Sequence, residues 1–302
     1  MTTVLRDLYQ SVTDQIVAAL EAGTPPWVRP WRGTSQDARP ANATTGRPYR
    51  GVNTLLLNLR AMACGYGSNR WLTFAQAQSI GARVRHGEHG SQIVFFKMRE
   101  VDDPVPAPDG AAVERRVVPL LRAFTVFNVD QVEGLPAGMA APEVEPGTWE
   151  PLDVADRILE ASGARIRYGG SRAFYMPDAD LIQMPPAPAF DSASDFYATA
   201  LHELTHWTGH QNRCNRPLGK RHGIEAYAYE ELVAEMGSAF LTDYCGIESR
   251  LQHASYIASW LTALRNDKRL IFTAASQAQK AADYLLPKPA EEAAVMPLAE
   301  AA

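Results

Sequence analysis

The stretch ATALHELTHWTGH, residues 198–210, holds two histidines four residues apart, with a glutamate directly after the first. On an α-helix, residues i and i+4 stand one above the other. His202 and His206 would therefore present both imidazoles to one point, an arrangement that suits zinc. Glu203, one step round from His202, would reach a water at the ion's open position rather than the ion itself. There it can take a proton during attack on a carbonyl. The H-E-x-x-H spacing thus carries a mechanism, that of a metal-dependent hydrolase. Phe196, Leu201, Leu204 and Trp207 add apolar positions at helical spacing, Ser192 or Ser194 can cap the start, and Gly209 can end the helix. A surface helix with coincidental histidines is the competing reading.

A third ligand must come from elsewhere. The extended pattern HExxHxxGxxH needs a histidine at 212, where this chain has Asn212, and His210 falls too early, past the helix end. The better source is YAYEELVAEMGSAFL, residues 227–241, which reads as a second helix. Glu231 and Glu235 share one face of it. The pair resembles that of zincins in which a ligand glutamate is followed four residues later by a group bracing a ligand histidine. Glu231 fits the ligand role and Glu235 the bracing role, holding a His N–H. Glu230 points about 100° away from Glu231 and suits the ligand role less well. Tyr227, Tyr229 and His222 are the available oxyanion donors, and the spacing does not choose between them. Residues 172–185, RAFYMPDADLIQMP, supply a candidate edge strand for a peptide.

The rest of the chain sets the frame. Its 302 residues allow two domains, each with its own core. We place a first domain at 1–133, a Pro/Gly/Ala-rich linker at 134–151, a second domain at 152–286 and a disordered tail at 287–302. Leu5, Leu8, Val12, Ile16 and Leu20 make an amphipathic stripe at the N-terminus, which lacks the character of a signal peptide. The first domain reads as α+β, with helices near 53–63 and from Phe74 (capped by Thr73), strands within 83–97 and 115–129, and a long loop at 102–111. The second reads as mainly helical with a small sheet. No apolar run is long enough to span a membrane. Three widely spaced cysteines, Cys64, Cys214 and Cys245, point to a reducing cytoplasm.

The net charge of −5 hides a basic segment. Residues 29–97 carry ten Lys and Arg against two acids, Asp37 and Glu88. Aromatics are interleaved with them, above all in PPWVRPWRG (25–33) and TGRPYRGVN (45–53). Aromatic faces beside cations are what single-stranded nucleic acid requires. Trp27, Arg29, Trp31, Arg32, Arg47, Tyr49, Arg50, Trp71, Arg83 and Arg85 form the candidate set. Phe95 and Phe96 read as core. No finger, zipper or RNP-type motif suggests readout of duplex sequence.

Taken in order, PW..PW, TGRPYRGVN..LL, WLTFAQA, G..V..GE.G..IVFF, FNV.Q..GLP, HELTHWTGH and YA.EELVAEMGSAFL resemble the ArdC-type antirestriction proteins of conjugative plasmids, from about Leu5 to Leu286. Related segments occur in plasmid DNA primases. The resemblance implies a domain that binds single-stranded DNA followed by a zincin-like metallopeptidase domain. It also implies protection of incoming plasmid DNA from host restriction during conjugation. His202, His206 and a glutamate of EELVAE would hold Zn2+, or another divalent ion such as Mn2+, with Glu203 as base. The alternative is a zinc endopeptidase that cuts a host protein and uses DNA only for localisation.

Overall fold

The computed structural model describes residues 7–27, 39–102, 115–137, 139, 151–218, 224–247 and 254–287. Arg29, Trp31, Arg32 and His222, the loop at 103–111, most of the linker and the tail beyond 287 lie outside these residues.

Helix α1 (Leu8–Glu21) begins where the Asp7 carboxylate accepts from the Gln10 amide, and it buries Val12, Ile16 and Leu20 on the expected stripe. Strand β1 (Ala41–Asn42), helix α2 (Val52–Cys64), strand β2 (Arg70–Leu72) and helix α3 (Phe74–Ser79) follow. Thr73 and Gln76 close a capping box on α3. Strands β3 (Arg83–Val84) and β6 (Val132–Glu133) pair as a small ribbon. Between them β4 (Ser91–Asp102) and β5 (Arg115–Asn128) run antiparallel over the whole of β4. The main sheet has the order β1-β2-β5-β4, so β4 is an edge. Asn53 blunts that edge: its side chain donates to the Val94 carbonyl and accepts from the Val94 amide, both at 2.8 Å.

The second half opens with α4 (Pro151–Ser162). A sheet of β7 (Ile166–Tyr168), β8 (Phe174–Met176) and β9 (Leu181–Met184) follows, with β9 in the middle and β8 antiparallel to it at one edge. Helices α5 (Ala193–Thr208), α6 (Ile224–Cys245), α7 (Ala254–Asn266) and α8 (Leu270–Leu285) complete it. Ser192, not Ser194, caps α5 by accepting from the Asp195 amide. The fold is therefore mixed, an α+β first half and a mainly helical second half with a small sheet. Where α5 and α6 cross, a Cβ on Gly237 would sit 2.5 Å from Thr205 Cγ2. Only glycine lets these two helices approach closely enough to share a site.

The largest apolar cluster does not respect the division of the sequence. It joins Val12, Ile16 and Leu55 of the first half to Leu201, Trp260 and Phe272 of the second. Two smaller clusters, around Trp71 and around Leu72, draw on the first half alone. Among the described residues no helix is long and apolar enough to cross a membrane, and all three cysteines are free thiols.

Candidate metal centre and nucleic-acid interface

Helix α5 turns both its histidines toward α6, His202 buried and the His206 side chain 12% exposed, and the two imidazoles lie 4.9 Å apart. Glu231 of α6 faces them both: its carboxylate oxygens are 3.6 Å from His202 Nε2 and 3.7 Å from His206 Nε2. One ligand atom from each of the three residues lies within 4.8 Å of the others. Ligands about 2.0–2.2 Å from a tetrahedral ion must lie a little over 3 Å apart, so this donor set fits a divalent ion with small adjustment. Buried imidazole nitrogens and a carboxylate also match what zinc and its borderline neighbours take. Glu203, itself buried, lines the same cavity of about 240 Å3.

Glu230, the residue set aside for lying one helical step from Glu231, has a role because of that step. It reaches the other nitrogen of His206, with Nδ1 to Oε1 at 3.1 Å. This bond leaves Nε2 facing Glu231. The bond to His206 Nδ1 thus comes from Glu230, and Glu235 is buried one turn further along α6. Arg216 in turn grips Glu230 with two bonds, Nε to Oε2 at 2.9 Å and Nη2 to Oε1 at 2.8 Å. It also donates to Thr208 Oγ1 and to the Thr205 carbonyl at the end of α5. Burial raises the Glu230 pKa, but Arg216 and His206 outweigh it and hold the carboxyl below its usual range. Burial alone would lower the His206 pKa, yet its bonds to Glu230 and Glu231 push it up to about 10. Glu231 shows the complement: burial opposes ionisation, and the two histidines hold its pKa well down.

Of the oxyanion candidates, Tyr227 lines the cavity, with its hydroxyl 3.1 Å from that of Tyr256, a residue the sequence did not single out. Tyr229 packs against the main core instead. His210 is not part of the histidine–glutamate group; its Nδ1 accepts from the Asn212 amide.

Beside the cavity, Arg213 lies 3.8 Å above the Trp207 ring. It donates to Asp180 at 2.5 Å and to the Tyr175 hydroxyl at 3.1 Å. The clamp ties the loop after α5 to the β8–β9 turn, where Asp180 has a φ of 46°. Arg213, aided by the Tyr175 hydroxyl, holds the Asp180 carboxyl below its usual range. A depressed carboxyl stabilises the fold above its unfolded pKa of about 3.9, and that stability is lost as pH falls through the lower folded value. Asp180→Asn should therefore melt below wild type at pH 7. The gap should close as melts are repeated at successively lower pH below about 4. A gap independent of pH would show that the charge is not what matters.

The candidate nucleic-acid residues separate into groups. Trp27 and Trp71 are core, 6% and 0% exposed: Trp27 packs edge-to-face on Trp260, and Trp71 donates its indole N–H to Asn69. In this structure neither offers a face to a base, which corrects the expectation for both. Arg83 and Arg85 lie beside acids, Glu133 at 2.5 Å and Glu88 at 2.9 Å. Arg47, Tyr49 and Arg50 do converge, on a groove of about 670 Å3 along the edge of β4. Phe95 and Phe96, expected in the core, are in that groove instead, 47% and 52% exposed, and Phe124 joins them at 46%.

Comparison with known proteins likewise divides the chain into two parts. Residues 6–127 match the model of the N-terminal domain of anti-restriction factor ArdC, and residues 153–277 match a zincin-like metallopeptidase. The crystal structure of the antirestriction ArdC protein from plasmid R388, in its metal-free form, superposes with a TM-score of 0.77 at 43% identity, covering 92% of this chain and 96% of that one. The chain belongs to the ArdC antirestriction family. An Mn(II)-bound structure of the R388 family member superposes with a TM-score of 0.74, again at 43% identity, covering 92% of this chain and 97% of that one. An uncharacterized protein of Sinorhizobium fredii is 42% identical over 288 residues, 92% of this chain and 91% of that protein. A DNA primase, TraC, of Escherichia coli is 41% identical over 300 residues. These cover 95% of this chain but only 28% of the primase.

Proposed function

We propose that this protein binds single-stranded DNA and shields incoming plasmid DNA from host restriction during conjugation, within the cytoplasm. The groove beside β4 carries this reading. It sets exposed phenylalanines, on which bases can stack, beside Arg47 and Arg50, which can take phosphates. A single strand has unpaired bases to insert there, whereas a duplex does not. Membership of the ArdC antirestriction family supports the biological setting.

His202, His206 and Glu231 would hold the metal of the second half, Zn2+ or another divalent ion such as Mn2+. Such an ion supplies Lewis-acid polarisation of a carbonyl and an activated water. Glu203 and Tyr227 line the cavity, where Glu203 would accept a proton and Tyr227 would donate a hydrogen bond to developing negative charge, while Glu230 would orient His206. Cleavage of a host protein is not needed for this reading.

Fluorescence anisotropy with labelled oligonucleotides tests the DNA half. Single strands should bind more tightly than duplex, and binding should weaken as salt rises. Arg47→Ala combined with Phe124→Ala should weaken it by at least roughly 5- to 150-fold, the value of one stacked base at about 1–3 kcal/mol. Tighter binding to duplex, or indifference to the double substitution, would rule the groove out.

A further inference from the structure

We infer that helix α8 of the second half forms the far wall of the DNA groove, Lys280 contacting phosphate and Asp283 standing in for phosphate on Arg50 until DNA arrives. The inference rests on the reading of the groove as a single-strand site. Phe272, Ser276, Gln279, Lys280 and Asp283 recur at helical spacing and all line the groove. The opposite face of α8, with Ile271, Ala274, Ala275, Ala278 and Ala282, is buried in the main core, so the helix cannot turn away. Lys280 and Ser276 are exposed on the groove side.

The two walls are already joined by polar contacts. The Gly51 amide donates to Gln279 at 3.1 Å, and Gln279 donates to Asp283 at 3.0 Å. Arg50 is ion-paired with Asp283, and both side chains are about half exposed, so a solvent-borne anion can compete for the guanidinium. A phosphate diester offers the same pair of anionic oxygens as a carboxylate, in reach of the same fork. Its negative charge would also be met by Lys280 one turn of α8 away, which the carboxylate of Asp283 is not required to share. The sheet would thus provide the stacking faces and α8 a phosphate contact.

The test is anisotropy with a labelled oligothymidylate against the full chain and four variants: Lys280→Ala, Asp283→Asn, Arg50→Ala, and Arg50→Ala with Asp283→Asn. Melting curves check that each folds, which these exposed positions should allow. Lys280→Ala should weaken binding and reduce the slope of log K against log salt by about 0.7, one phosphate contact on a single strand. Asp283→Asn should tighten binding by up to about fivefold, the scale of an exposed ion pair. That gain should shrink when Arg50 is absent. Wild-type binding with an unchanged slope in Lys280→Ala would overturn the α8 wall while leaving the groove intact, as would weaker binding by Asp283→Asn. An equal gain with and without Arg50 would overturn the stand-in role. Absence of single-strand binding by wild type would overturn the inference together with the reading beneath it.

Discussion

Replacing Arg216 by methionine should destabilise the protein by about 3–5 kcal/mol, because it strands a buried carboxylate. The guanidinium side chain is only 2% exposed and Glu230 only 4%. Water cannot replace the lost partner, and Glu230 keeps only its bond to His206. The drop should appear in denaturant unfolding, and as a fall of roughly 10 °C in melting temperature for a chain of this size. Adding Glu230→Gln removes the stranded charge, so the double variant should recover much of the loss. If the two losses simply add, the pair does not interact as described. Glu230→Gln alone should also weaken metal binding by about 10- to 100-fold, since the outer bond of a ligand histidine sets its orientation and basicity.

That network also marks the limit of what the sequence discloses. The meeting of His202, His206 and Glu231 was legible because it depends on two local rules, i/i+4 spacing on one helix and the facing side of the next. Arg216 was not legible. It sits in the loop after α5, with no period around it, and its partner was identified only by the fold. Glu230 was discounted for its 100° offset, a correct angle that happens to lead to the other side of the same imidazole. The aromatics of the first half were misassigned for a different reason. Alternation along β4 says which residues share a face but not how far the hairpin runs beyond the helices that cover it. Ile93 and Phe95 share a face; Ile93 is buried with Trp71 and Val126, whereas Phe95 projects past them beside Phe124. Trp27, in a Pro-rich loop, looked free to stack, yet it fills a gap beside Trp260 in the main core. Loop composition carries no information about what a distant helix presents to it.

Substitution of the proposed ligands separates the two functional halves most sharply. His202→Ala or Glu231→Ala should abolish tight binding of a divalent ion, read by calorimetric titration of chelator-treated protein with Zn2+ or Mn2+. Wild type at a free metal concentration 100 times Kd should gain about 2.7 kcal/mol of stability, and neither variant should gain it. Glu203→Gln should keep that gain, because its carboxylate lies in the cavity without belonging to the ligand group. Retention of full metal binding by Glu231→Ala would remove the centre as described. The Glu203→Gln protein then decides what the centre is for, since it keeps the metal and lacks the base. Tested in conjugation into a restricting host, it should protect DNA as wild type does if the groove alone is responsible. Loss of protection, with single-strand binding and metal binding both intact, would mean that hydrolysis at the centre is part of how the plasmid escapes.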